Sequence, residues 1–169
     1  MGKKAKEPLY QFRRELVSRW EMRERIEVDG VPLTRPIVPR GPQDLAAYLK
    51  PWAEATEEHL LLLTLDSKLR LTGHAVIGQG GLNAVSASNT IVARAAVMSG
   101  AAAVILAHNH PTGEVTPSPE DIATTKRLDL ALKAVDVPLL DHVIVGLDPV
   151  GGQYMLASMK QKGLMPDVK

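Results

Sequence analysis

Two histidines stand two residues apart, His108 and His110, at the end of an apolar run from Ala101 to Leu106. In an extended strand, residues two apart point to the same face, so both imidazoles can address one ion. Pro111 and Gly113 then end the strand and open a loop. That loop closes on Ser118-Pro119-Glu120-Asp121, which has the form of a helix start. Ser is placed as N-cap, Pro at the first helical position, and acids in the first turn. Such a cap holds Asp121 where its carboxylate can reach back toward the histidine pair. Two histidines and one aspartate leave a zinc ion with an open fourth position, as a catalytic zinc requires.

Water on such an ion also needs a base, and the ligand histidines cannot serve. The base must be a carboxylate arriving from another element. Glu58 stands just before a Leu-rich run, with Glu57 and Glu54 as rivals; by position alone, each also reads as a surface acid. Solvation or capping accounts for Glu114 and Glu120. The Ser118 hydroxyl can cap the helix, and it can also lean toward a developing oxyanion. Asp141-His142 reads as a supporting pair behind the ligands, as a further ligand, or as a strand start with a satisfied histidine. His59 and His74 lack ligand spacing and read as structural or exposed. The tripeptide His108-Asn109-His110 is not the nuclease motif of the same letters, whose residues are dispersed along a chain.

The elements that must carry these residues can be placed by pattern. Leu9–Arg25 has helical spacing (Leu9, Phe12, Leu16, Trp20), and residues 28–42 hold four prolines and two glycines and read as an extended linker. A second helix is expected over Pro42–Trp52. His59–Leu65 and Leu69–Ile77, joined at Asp66-Ser67-Lys68, form an expected hairpin, with a glycine-rich loop at Gly78–Leu82. Ser86 or Ser88 caps a helix through Ile91, Val92, Ala95 and Met98 that ends at Gly100. Ala101–Ala107 is a buried strand, and a helix from Pro119 to about Val135 turns Ile122, Leu128, Leu132 and Val135 inward. Short strands follow at Val137–Leu140 and His142–Val145, then a turn at Asp148–Gly152 and a last strand at Gln153–Ala157. The tail from Met159 reads as loose or briefly helical. Helices between strands, with a hairpin at each end, predict a mixed α/β domain with helices on a curved sheet.

At 169 residues the chain suits one domain with a real core. Aromatics are only 4% of the residues, so that core must be aliphatic. With no cysteine, disulfides and thiolate metal sites are excluded, leaving imidazole and carboxylate as ligands. No apolar run approaches the roughly 20 residues that span a bilayer, and a signal-type apolar segment is not evident, so a cytoplasmic location and no membrane partner are expected. Charge is uneven: residues 1–40 carry ten Lys or Arg against six acids, +4, and the rest ten against thirteen, −3. A basic arm of this kind is either a solvated helix or a contact for nucleic acid. Its apolar positions also leave room for a homodimer.

The motif His-x-His-Pro, six residues, then Ser-x-x-Asp, with a Glu upstream, resembles the JAMM signature of MPN/JAB-domain metalloproteases. Closer still is the RadC branch of that family. Ala107-His108-Asn109-His110-Pro111-Thr112-Gly113 and Pro117-Ser118-Pro119-Glu120-Asp121 carry the likeness, as do Glu58-His59-Leu60, Leu65-Asp66-Ser67 and Leu140-Asp141-His142-Val143-Ile144-Val145-Gly146. Thr112 stands where the branch usually has Ser, and residues 1–57 do not resemble its helix-hairpin-helix segment. The resemblance covers roughly residues 58–157. It implies a three-layer, cytidine-deaminase-like α/β architecture over residues 42–157, with a helical extension and linker over 1–41 and a tail over 158–169. It also implies His108, His110 and Asp121 as zinc ligands, Glu58 as general acid and base, and Ser118 on the oxyanion side. A zinc-dependent hydrolase of a protein or peptide substrate, attacking a peptide or isopeptide carbonyl, is the expectation that follows. The association of this branch with DNA repair supplies an alternative, in which the domain cuts or binds DNA with help from the basic arm. A zinc-stiffened adaptor without catalysis is the third.

Overall fold

The computed structural model describes residues 36–80 and 87–166, together with the backbone of two short strands, β1 (Glu27–Val28) and β2 (Val31–Pro32). These two pair antiparallel, Val28 with Val31 and Glu27 with Pro32. Part of the stretch expected as an extended linker is therefore a ladder, and the Asp29-Gly30 dipeptide between the two strands is the sequence type that tight hairpins favour. The expected helix over Leu9–Arg25, and with it the surface for a homodimer, lies outside the described residues.

Five strands build the main sheet: β3 (Glu58–Leu65), β4 (Leu71–Gly80), β5 (Ala103–Asn109), β6 (Leu139–Leu147) and β7 (Tyr154–Ser158). Their order across the sheet is β4-β3-β5-β6-β7; β5 and β6 run parallel, and every other pair is antiparallel. Among the described residues, three helices cover it. A 3-10 turn at Pro42–Leu45 leads into α1 (Ala46–Ala53), and α2 (Asn89–Met98) and α3 (Pro119–Lys133) follow later in the chain. The mixed, helix-flanked α/β sheet expected from the sequence is the architecture found.

Strand alternation sorts the core into two layers. Leu60, Leu62, Val104 and Leu106 pack with Val92, Ala96, Leu128 and Leu132 of α2 and α3. Leu61, Leu63, Leu65, Ile105 and Val143 face Leu45 and Leu49 on the other side. With helices on both faces, the central strands are apolar at nearly every position, which is why Leu60–Leu65 reads as a continuous run. Edge strand β4 alternates instead, with Leu71, Ala75 and Ile77 buried and His74 and Val76 exposed.

Three boundaries differ from the sequence expectation. Strand β4 continues through Gly78 to Gly80, because Glu58 and Leu60 pair with Gly80 and Gly78. The two short strands expected on either side of Asp141 are one strand, β6: the carboxylate that divides them in the sequence is satisfied by hydrogen bonds. Helix α3 closes at Lys133, and Ile122, expected inward, is only half-buried, whereas Thr125 and Asp129 of that helix are buried. Asp129 is compensated by Lys133 at 2.8 Å. Met159, at the start of the expected loose tail, is fully buried and its amide donates to the His142 carbonyl at 2.9 Å. Of the two candidate caps for α2, Ser88 is the one used, accepting from the Thr90 amide at 3.3 Å.

The loop leaving β5 lies against β6 through two glycines. Gly113 has φ +81°, and a Cβ there would meet the Leu147 carbonyl oxygen at 2.5 Å; a Cβ on Gly146 would meet the Gly113 oxygen at 2.9 Å. Gly100 also has a positive φ, +63°, but open space around it. Gly100→Ala should therefore cost only backbone strain, on the order of 1 kcal/mol. Gly113→Ala should cost clearly more, because backbone atoms cannot yield to the added methyl. Urea midpoints of the two variants measure this, and equal losses would refute the close packing of loop and strand.

Candidate metal centre

Glu58, His108, His110 and Asp121 each turn one ligand atom into a common space, with those atoms all within 4.8 Å of one another. Four separate features of the fold bring them there. His108 is two residues beyond Leu106 on the face covered by α2 and α3. Its antiparallel neighbour on β3 is Leu60, so Glu58, two residues earlier on the same face, lies alongside. His110 leaves the strand end, tied by its amide to the Val145 carbonyl at 2.8 Å. Asp121 comes from the first turn of α3.

The helix start is a complete capping box. The Ser118 hydroxyl accepts from the Asp121 amide at 3.1 Å, and Asp121 Oδ2 accepts from the Ser118 amide at 2.7 Å. Ser118 Oγ also donates to Oδ2 at 2.7 Å. The same carboxylate faces the histidines: Oδ1 is 3.1 Å from His108 Nε2 and Oδ2 is 3.5 Å from His110 Nε2. The two Nε2 atoms stand 2.7 Å apart. His110 Nδ1 contacts the Glu114 carbonyl at 2.5 Å. A carbonyl only accepts, so Nδ1 carries the proton there and Nε2 of the neutral ring presents a lone pair to the cluster.

Electrostatics follow the same geometry. The hydrogen bond to Asp121 raises His110 above the usual histidine range, with burial opposing and the Glu114 carbonyl assisting. Burial pushes the Asp121 carboxyl up, but the adjoining His108 and His110 rings and the Ser118 hydroxyl outweigh it and hold the group well below the usual carboxylate range. His142 is driven far down by burial and is neutral. Two imidazole nitrogens and an ionised carboxylate converging on one point are a donor set suited to a divalent metal ion.

Glu58 is half-buried, and its partner on β4 is Gly80, which itself adds no side chain to that flank. Its rivals are elsewhere: exposed Glu57 accepts from Gln79 at 2.5 Å, and exposed Glu54 caps the end of α1. Glu114 binds the Thr116 amide and hydroxyl at 2.8 and 2.6 Å, and Glu120 is exposed in the first turn of α3. Asp141 does not reach the centre. It points to the opposite face from His142, taking hydrogen bonds from Ser158 Oγ at 2.6 Å and the His142 and Lys160 amides at 2.7 and 3.0 Å. His59 rests against Trp52, and exposed His74 meets the Tyr48 hydroxyl, as structural residues.

Asn109, between the two histidines, went unnoticed in the sequence. It is fully buried on the reverse face. Its Oδ1 accepts from the His59 amide at 2.8 Å, and its Nδ2 donates to the Glu57 carbonyl at 2.9 Å and the Ala55 carbonyl at 3.4 Å. Both residues flanking Glu58 are thereby anchored to the histidine-bearing strand. The sequence offered no signal for this beyond a polar residue in a buried strand.

The chain matches the RadC-like JAB domain family over residues 39–164. It belongs to that family. It is 39% identical over 126 residues to a UPF0758 protein of Chloroflexus aggregans, covering 74% of this chain and 52% of the relative. With a UPF0758 protein of Staphylococcus carnosus the identity is 42% over 118 residues, covering 67% and 52%. A UPF0758 protein of Methanococcoides burtonii gives 40% over 125 residues, covering 73% and 52%. The chain thus spans about half the length of these curated relatives. Among the described residues, no helix is long and apolar enough to cross a membrane.

Asn109→Ala strands the His59 amide and two carbonyls, and should cost at least about 1–3 kcal/mol in urea unfolding. Asn109→Asp should not restore the loss, since a carboxylate would face those carbonyls; wild-type stability in the Ala variant would rule the anchor out. The His110–Asp121 pair also has a pH signature in metal-free protein. Raised His110 stabilises below its ordinary value near 6.5 and loses that contribution as pH rises through its folded value; depressed Asp121 stabilises above about 3.9 and loses it on acidification. The pair helps most between roughly pH 4 and 6.5. Relative to His110→Gln, the metal-free wild type should melt higher at pH 5.5 than at pH 8; parallel melting curves across that range would contradict the pairing.

Proposed function

We propose that this domain is a zinc-dependent hydrolase of the JAMM type, cleaving a peptide or isopeptide bond in a protein or peptide substrate. The observation that carries the reading is the convergence of Glu58 with His108, His110 and Asp121 in a member of the RadC-like JAB domain family. His108 Nε2, His110 Nε2 and an Asp121 oxygen would hold the ion. When bound, zinc lowers the pKa of a water toward 7 and polarises a carbonyl.

The chain's own residues supply the rest. The Glu58 carboxylate takes one proton from the attacking water as its oxygen bonds to the carbonyl carbon. It then returns that proton to the leaving nitrogen as the C–N bond breaks, giving a carboxylic acid and an amine. The Ser118 hydroxyl now binds Asp121. Rotated about its Cα–Cβ bond, it would donate to the oxygen on which charge develops. Asn109 holds the backbone on both sides of Glu58, so the base does not drift from the histidine strand.

The test pairs metal content with turnover on a panel of peptide and isopeptide-linked substrates. Wild type should bring about one zinc per chain. Glu58→Gln should keep that zinc and lose about 10²–10⁴-fold in kcat. His110→Ala should lose both. A fully active Glu58→Gln would remove the assigned base, and a wild type unable to take up zinc would end the metallohydrolase reading.

A further inference from the structure

His142 has no part in the chemistry above, yet it is 1% exposed and sits directly behind a proposed ligand. On β6 it pairs with Leu106 of β5, on the same face as His108. Its Nε2 is 2.8 Å from His108 Nδ1, and its Nδ1 is 2.6 Å from the Thr125 hydroxyl. Thr125, fully buried on α3, donates that hydroxyl to the Asp121 carbonyl at 2.6 Å, a nearer and stronger acceptor than the Met159 sulfur at 3.4 Å. The path runs from one proposed ligand to another: His108, His142, Thr125, Asp121.

Its direction is determined from the far end. A carbonyl has no proton to give, so the single hydroxyl proton of Thr125 goes to Asp121. The Thr125 oxygen must then accept, and His142 Nδ1 must carry a hydrogen. Buried between His108 and Thr125, with no carboxylate in contact among the described residues, His142 holds that one ring proton, so its Nε2 is bare and accepts from His108 Nδ1–H. His108 in turn is left with its lone pair on Nε2, 2.7 Å from His110 Nε2, whose proton it accepts when His110 is charged.

We propose that His142 and Thr125 are positioning residues that lock His108 in its Nδ1–H tautomer and tie it to the helix end bearing Asp121, so that the two ligands are presented as one unit before metal arrives. The inference rests on the metal-binding reading of the site. Partners of this kind orient ligand imidazoles, and losing them typically lowers metal affinity by about 10–100-fold. Glutamine is the conservative variant at 142, since its Oε1 can accept from His108 while its Nε2 donates to Thr125. Leucine can do neither. Valine at 125 keeps the shape and removes the hydroxyl.

The experiment uses the full chain. Nitrogen-15 spectra of the imidazoles in metal-free protein report the His108 tautomer, competition with a chromophoric chelator reports zinc affinity, and thermal melts report folding. Wild type and His142→Gln should show a single His108 tautomer, protonated at Nδ1. His142→Leu and Thr125→Val should show a mixture or the other tautomer, with zinc affinity lower by about 10–100-fold. The readouts separate the two ideas. A wild type that binds no zinc overturns the metal reading, while the metal-free spectra still decide the tautomer lock. An unchanged single tautomer together with wild-type affinity in folded His142→Leu overturns the lock. If His142→Leu does not fold, Thr125→Val alone decides by the same two criteria.

Discussion

The site depends on one carboxylate serving two structures. Asp121 closes the capping box that starts α3, and its oxygens also face the two imidazoles. The helix benefits from negative charge in its first turn, where unpaired amides and the macrodipole concentrate positive potential. The histidines benefit from an anion whose position is set by backbone geometry and not by a free rotamer. The side chain is fixed by the Ser118 amide and hydroxyl before any ion is considered. A ligand set held in this way loses little conformational entropy on binding, which is the physical meaning of preorganisation at a metal centre.

Topology explains why the remaining groups meet there. His108 lies at the end of β5, whereas Glu58 is the first residue of β3. Only an antiparallel pairing can lay the start of one strand against the end of the other. The register places Leu60 opposite His108, and Glu58 two residues earlier faces the same side. Asn109 points the opposite way and reinforces this register from behind, binding both neighbours of Glu58 across a separation of fifty residues in the case of His59. Alternation thus gives His108 and Asn109 separate tasks on the two faces of the sheet.

What the sequence showed and hid follows from the range of each interaction. The His108/His110 spacing and the Ser118–Asp121 cap are local patterns, and the structure brings these residues together with Glu58 as a cluster. The Leu60–Leu65 run was legible as a buried strand by its continuity, and α3 by Leu128 and Leu132, although Ile122 is only half-buried and Thr125 and Asp129 are buried in its place. Glu58 could be distinguished from Glu57 and Glu54 only by resemblance, because its position depends on strand pairing that no local pattern encodes. The break expected at Asp141 arose from reading one carboxylate as an interruption. Asp141 is satisfied by Ser158 and two amides, and His142 by His108 and Thr125, so neither needs solvent. Gly78–Gly80 looked like a loop because glycine is a poor strand former, and pairing with β3 overrode that propensity.

Burying polar groups around this cluster is costly unless every one is paired, and the pairing here has a direction. His110 is oriented by the Glu114 carbonyl, and His108 by His142 and Thr125, each acceptor forcing the proton onto the ring nitrogen farther from the centre. Two independent acceptors, one in a loop and one across the sheet, therefore leave both Nε2 lone pairs on the same side. A buried aliphatic side chain would have been cheaper at position 142, given its pairing with Leu106, which packs with Leu128 in the same layer. A neutral imidazole at that position makes physical sense because it is both acceptor and donor, and so can pass orientation from a helix hydroxyl to a strand histidine. The protein accepts a polar chain inside its core, and in return the nitrogen that faces Asp121 and His110 cannot turn away.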